Sequence, residues 1–138
     1  MDEADAIIVR LGLAPHPEGG WYRQTWAGPV IKGRASGTAI LFLLKAGERS
    51  HWHRVDADEI WLFHAGAPVV LSLGQQRAVD HVLGPAVLAG QSPQIVVRAG
   101  DWQAARSTGA YSLVSCTVSP GFEFTGFVLA EPDFDLPH

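Results

Sequence analysis

An all-β fold preceded by one short helix is the class this sequence predicts. Apolar runs of strand length recur through the chain, glycine and proline separate them, and helical spacing of apolar residues is confined to the N-terminal stretch. The composition agrees, with 15 glycines, 9 prolines and 47% hydrophobic residues in 138. A chain of this length suits one domain with a single sizeable core.

Residues 2–13 place Ile7, Ile8 and Leu11 at helical spacing, with acids in the first turn and Gly12 near the end, so a short amphipathic helix is expected. The run Pro15-His16-Pro17-Glu18-Gly19-Gly20 cannot continue it and reads as an ordered loop. His16 and Glu18 could serve a site, but solvated or turn-stabilising roles are the more ordinary reading. Residues 21–26 form a strand with Trp21, Arg23 and Thr25 on one face; turned inward, Arg23 needs an anionic partner, either Glu18 or a ligand. Residues 27–37 read as an exposed hairpin connection.

Residues 38–44 are apolar on both sides and read as a central strand covered on both faces. With Ile60-Trp61-Leu62-Phe63, they imply that the outer surface of the sheet is also hidden, which pairing into a homodimer would achieve. Strands are expected over 69–73 and 78–83 as a hairpin, then over 94–98, after 102, over 111–118 and over 127–129. His81 reads as an exposed strand histidine. Residues 131–138 read as a surface tail.

The net charge of −4, without a Lys/Arg cluster, offers no footprint for phosphate backbones, so nucleic acid is not an expected partner. Cys116 is the only cysteine; it excludes an intramolecular disulfide and reads as a small buried hydrophobe. The acidic start and the lack of a long apolar run suggest neither export signal nor membrane span, and a cytoplasmic protein is expected.

The chemistry concentrates in residues 47–66, GERSHWHRVDADEIWLFHAG. In a regular strand His51 and His53 project to the same face and Trp52 to the other. A turn at 54–58 would bring Glu59 beside them. Two imidazoles and a carboxylate suit a divalent transition metal, and equally suit metal-free acid/base catalysis.

Gly47, His51, His53, Glu59 and Gly66 resemble the first motif of the cupin superfamily, and Arg98-Ala99-Gly100-Asp101-Trp102-Gln103 resembles the second, with Gln103 where the last histidine ligand usually stands. The phrases His16-Pro17-Glu18-Gly19-Gly20, Ser50-His51-Trp52-His53-Arg54 and Pro120-Gly121-Phe122 are similar to a small, functionally uncharacterised cupin branch. The resemblance implies a single-domain jelly-roll β-barrel over 21–130 within a domain of 1–138, with helix and loop over 1–20, dimeric, and with a ligand pocket.

Three functions follow. In the first, His51, His53, Glu59 and Gln103 hold a divalent metal ion that assists isomerase or lyase chemistry on a small oxygen-rich metabolite. The second resembles the sugar-nucleotide epimerase branch, with His51 or His53 as base, Glu59 orienting it and Tyr111 or Tyr22 as acid. In the third, a non-catalytic pocket binds a metabolite. Trp21, Trp61, Phe63, Arg23 and Gln103 are the expected ligand contacts.

Overall fold

Residue 2 starts the helix. In the computed structural model, which describes residues 1–138, α1 spans Glu3–Leu11, and the Asp2 carboxylate accepts from the Asp5 N–H at 2.8 Å. Gly12 closes the helix in the left-handed region, where a side chain would be strained. Its apolar side, Ala4 with Ile7, Ile8 and Leu11, packs with Leu13 against Leu41, Leu43 and Leu113. The Lys45–Asp5 ion pair and a 3.2 Å hydrogen bond from Arg23 to the Leu11 carbonyl hold it there.

The strands are β1 (Ala14–Pro15), β2 (Trp21–Ala27), β3 (Val30–Ile31), β4 (Arg34–Ala35), β5 (Thr38–Lys45), β6 (Arg49–Val55) and β7 (Asp58–Gly66). They continue with β8 (Val69–Gly74), β9 (Val79–Leu83), β10 (Gln94–Val97), β11 (Trp102–Ser107), β12 (Tyr111–Ser119) and β13 (Phe127–Leu129). One antiparallel sheet has the order β1-β2-β5-β12-β7-β10 and the other β13-β6-β11-β8-β9, while β3 and β4 form a separate hairpin. No helix is long and apolar enough to cross a membrane.

Phe42, Leu44, Trp61 and Val114 of the first sheet meet Val69, Leu71, Leu83 and Ala105 of the second in the main core. Inward and outward residues alternate on both sheets, as half-buried strands require. The double-sided apolar pattern of β5 has an internal explanation: α1 covers its outer residues Leu41 and Leu43. A second subunit is therefore not needed to hide that part of the sheet.

The 131–138 tail does more than follow the surface. Phe134 stands edge-on to Trp52, Leu136 is buried beside it, and the Trp52 indole donates to Asp135 at 2.9 Å. The tail is the outer cover of the second sheet.

Candidate functional site

Two consecutive glycines bring residues 16–18 into the space between the sheets. The loop closes on itself through the His16 N–H to the Gly20 carbonyl and the Gly19 N–H to the His16 carbonyl, at 2.9 and 3.0 Å. Gly19 has φ +107°, and a Cβ there would stand 1.9 Å from the Arg49 carbonyl oxygen. Only glycine lets the loop lie this close to β6. The His51 N–H then donates to the Glu18 carbonyl at 2.7 Å, fixing the loop to the strand.

β6 itself is irregular. Gln103 pairs with His53 but Ala105 pairs with Ser50, so β6 carries an extra residue at positions 51–52. Such a bulge changes which side chains share a face. Ser50, His53 and Val55 point inward and are buried, Trp52 points outward under the tail, and His51 lies at the outside with its Nε2 at 2.8 Å from the Glu131 carbonyl oxygen. The expectation that His51 and His53 share a cavity assumed an unbroken strand, and the bulge separates them.

His53 instead shares the cavity with His16, Glu18 and Glu59, all less than one-tenth exposed. His53 Nδ1 lies 2.7 Å from the His51 carbonyl oxygen and 3.0 Å from Glu18 Oε2. Facing two acceptors, Nδ1 carries the hydrogen, which leaves Nε2 as the unprotonated nitrogen. Glu18 Oε2 also accepts from Ser50 Oγ, and its Oε1 lies 3.3 Å from His16 Nε2. His16 Nδ1 accepts from the Glu18 N–H at 3.1 Å, so its hydrogen sits on Nε2, toward Glu18.

Burial sets the charge states. It pushes Glu18 up to about 8, with the Ser50 hydrogen bond opposing, and pulls His16 down to about 4, helped by nearby His53. Burial likewise raises Glu59 and lowers His53, in each case against the attraction between the two. The Cys116 thiol, buried beside Glu59, is pushed well up and stays protonated. At neutral pH the Glu18 carboxyl holds a proton while both imidazoles are uncharged.

The cavity encloses about 260 Å³. Gln24 and Thr38 extend its polar side, and Ile40, Val55, Val118, Phe122 and Phe127 form its apolar side, with Phe124 largely exposed at the opening. Tyr22 also lines it.

Glu59 is aimed by a relay that starts in the core. The Trp61 indole, which can only donate, gives its hydrogen to Gln103 Oε1 at 2.8 Å. That fixes the amide so that Gln103 Nε2 donates to Glu59 Oε1 at 2.8 Å. Gln103 is thus adjacent to the site, as the sequence suggested, but as a fully engaged support behind Glu59 and not as a lining residue.

The other expected ligand contacts lie elsewhere. Trp61 is sealed in the core and Phe63 packs against it. Trp21 faces the helix side, donating to Glu48 at 3.2 Å beneath Lys45, and Arg23 reaches the end of α1. Tyr111 packs in the helix-side cluster, outside the barrel, which removes it as an acid for this cavity. The residues read too cautiously are His16 and Glu18, whose signal was the glycine pair following a His-x-Glu.

The proposed metal quartet of His51, His53, Glu59 and Gln103 is not assembled. His51 is turned out and both ends of the Gln103 amide are committed. No three His, Cys, Asp or Glu side chains converge in a way that could hold a metal ion. This donor set does not fit a resident divalent ion.

A family model described as Cupin superfamily (DUF985) matches residues 5–130. The chain belongs to the cupin superfamily. A protein of solved structure from Shewanella oneidensis is 38% identical, with a TM-score of 0.89 over 95% of this chain and 86% of that one. A hypothetical protein from Leishmania major is 31% identical, with a TM-score of 0.86 over 94% and 88% of the two chains. The DMSP lyase DddQ from Ruegeria pomeroyi shares the fold alone, at 21% identity and a TM-score of 0.58 over 83% of this chain and 53% of that one. No curated protein matches the chain. The two facing sheets are therefore the jelly roll of a cupin, with a short helix added at the N-terminus.

Proposed function

We propose that this cupin is a small-molecule enzyme whose cavity moves protons without a resident metal, in an isomerase- or lyase-type reaction on an oxygen-bearing metabolite. The observation that carries the reading is His53, whose Nδ1 lies 3.0 Å from the buried carboxyl group of Glu18 in a largely apolar cavity that Glu59 also lines. A neutral imidazole with a free Nε2 is a base, and Glu59, whose carboxyl burial pushes upward, is the candidate acid beside it. His53 Nε2 takes a proton from carbon next to a carbonyl. Glu18, behind Nδ1, supports the imidazolium that forms, and Glu59 returns a proton to the substrate.

The test is exchange in heavy water. Small ketoses and aldoses are incubated with the protein while proton NMR follows loss of the signal next to the carbonyl. Wild type should catalyse the loss, and His53→Gln should slow it by about 100-fold or more. An unchanged rate in the variant, or no catalysis by wild type, sinks the reading.

We further propose one domain over 1–138, acting in the cytoplasm as a homodimer. What supports pairing is the part of the first sheet that α1 leaves open, where Ile60 and Leu62 are half-buried and Val96 is exposed. Light scattering on Leu62→Asp against wild type checks this, with a halved mass expected for the variant.

A further inference from the structure

Taking the cavity as the substrate site, its charge inventory restricts what can enter. Among the side chains that line it there is no lysine or arginine. The two imidazoles are uncharged at neutral pH because burial pulls both down, His16 to about 4. Arg34, hydrogen-bonded to the residue before the lining Phe122, is committed to Asp56 at 2.8 and 3.1 Å and to the Gly121 carbonyl at 2.6 Å, with Glu123 at 3.9 Å. Arg23 is on the far side of the sheet at the end of α1.

The polar groups of the lining are carboxyls, an amide and a hydroxyl instead. Glu18 and Glu59 present carboxyl oxygens, and Gln24 and Thr38 add an amide and a hydroxyl. An anion entering this space would lose its hydration, find no cation, and meet two carboxyl groups in a low-dielectric surround. A hydroxyl or protonated amine would find acceptors, and a cation would also draw the two carboxyls toward ionisation. The apolar side, with Phe122 and Phe127, suits a hydrocarbon flank of about one ring.

We infer that the ligand enters through a hydrogen-bond-donating head, hydroxyl or amine, with an apolar flank, and that phosphate- and carboxylate-bearing molecules are excluded. Sugar nucleotides fall in the excluded class. The inference rests on the cavity being the substrate site proposed above, yet it concerns binding and not proton transfer.

Three isosteric probes test it: benzyl alcohol, benzylammonium and benzoate, titrated at pH 7 with the His53 and Phe127 NMR signals as the readout. The alcohol and the amine should each bind at least tenfold more tightly than benzoate. Glu18→Gln should weaken the amine at least threefold and narrow the gap to benzoate. A pH series on the unaltered protein gives a second reading should that variant not fold. Benzoate should weaken further between pH 7 and 9 as Glu18 ionises among His16, His53, Glu59 and Cys116, whereas the alcohol should not change.

Benzoate binding as tightly as the alcohol, strengthening with pH, or no probe moving the cavity signals overturns the inference. A benzoate preference would leave the acid/base reading standing. Loss of deuterium exchange with the probe order intact would remove only the proton transfer.

Discussion

Glu59 and Trp61 are two residues apart on the inner face of β7, yet they belong to different environments. Trp61 is locked among Phe42, Leu44, Leu71 and Val114, in the half of the barrel that is filled solid. Glu59 opens onto the other half, where a cavity of about 260 Å³ is bordered by His16, Glu18 and His53. One half converts apolar area into stability; the other keeps ionisable groups buried at a cost in stability. The link between them is Gln103, which passes the rigidity of Trp61 to the Glu59 carboxyl group through hydrogen bonds of 2.8 Å each. A buried carboxyl group can be held still by packing that it never touches.

Removing the packed half should have the largest effect. Trp61→Ala leaves a large cavity and strands the Gln103 amide oxygen, and should cost about 3–5 kcal/mol by urea denaturation. Trp61→Phe, keeping most of the ring volume, should cost less but still release Glu59. If both variants cost under about 1 kcal/mol, the halves do not differ as argued.

The polar half should respond to pH. A carboxyl that ionises at 4.5 in the unfolded chain but at about 8 when folded binds more protons in the native state, so stability falls as pH rises between those values. His16, at 6.5 unfolded and about 4 folded, works in the opposite sense, and stability falls as pH drops through that window. The two slopes cancel between about pH 4.5 and 6.5. Above that the His16 slope is gone, and Glu18 alone should lower stability by about 1.4 kcal/mol per pH unit up to pH 8, with Glu59, also raised by burial, adding in the same sense. Glu18→Gln should flatten this decline and be the more stable protein at pH 9. Parallel pH profiles for wild type and variant would show that Glu18 is not the group responsible.

The smallest effect should come from the outer layer, which belongs to neither half. Asp2→Ala removes the cap of α1 and should cost about 1 kcal/mol in thermal unfolding. Deuterium exchange at the cavity should be unaffected.

Much of the fold was legible because it depends on local rules. The Gly and Pro punctuation located the strands, the helix carried its own cap and stop signals, and Asp56-Ala57 turned β6 into β7 where a turn was expected. His53 and Glu59, read from one short stretch, line one cavity. His51 was misplaced because strand parity holds only for a regular ladder, and the single letters of residues 49–55 do not announce a bulge. Alternation gives the strands of Tyr111 and Arg23 two faces without saying which one a helix will cover.

The sequence by itself determined the class of fold, the order of its elements and the concentration of ionisable side chains on β6 and β7. Those follow from periodicity, turn residues and motif spacing, all read along the chain. Tertiary structure decided the membership of the site. His16 and Glu18 reach His53 only because a glycine pair lets their loop lie against β6, and their charge states follow from the burial that results. Contacts between distant segments, and the desolvation they cause, have no signature in either segment alone.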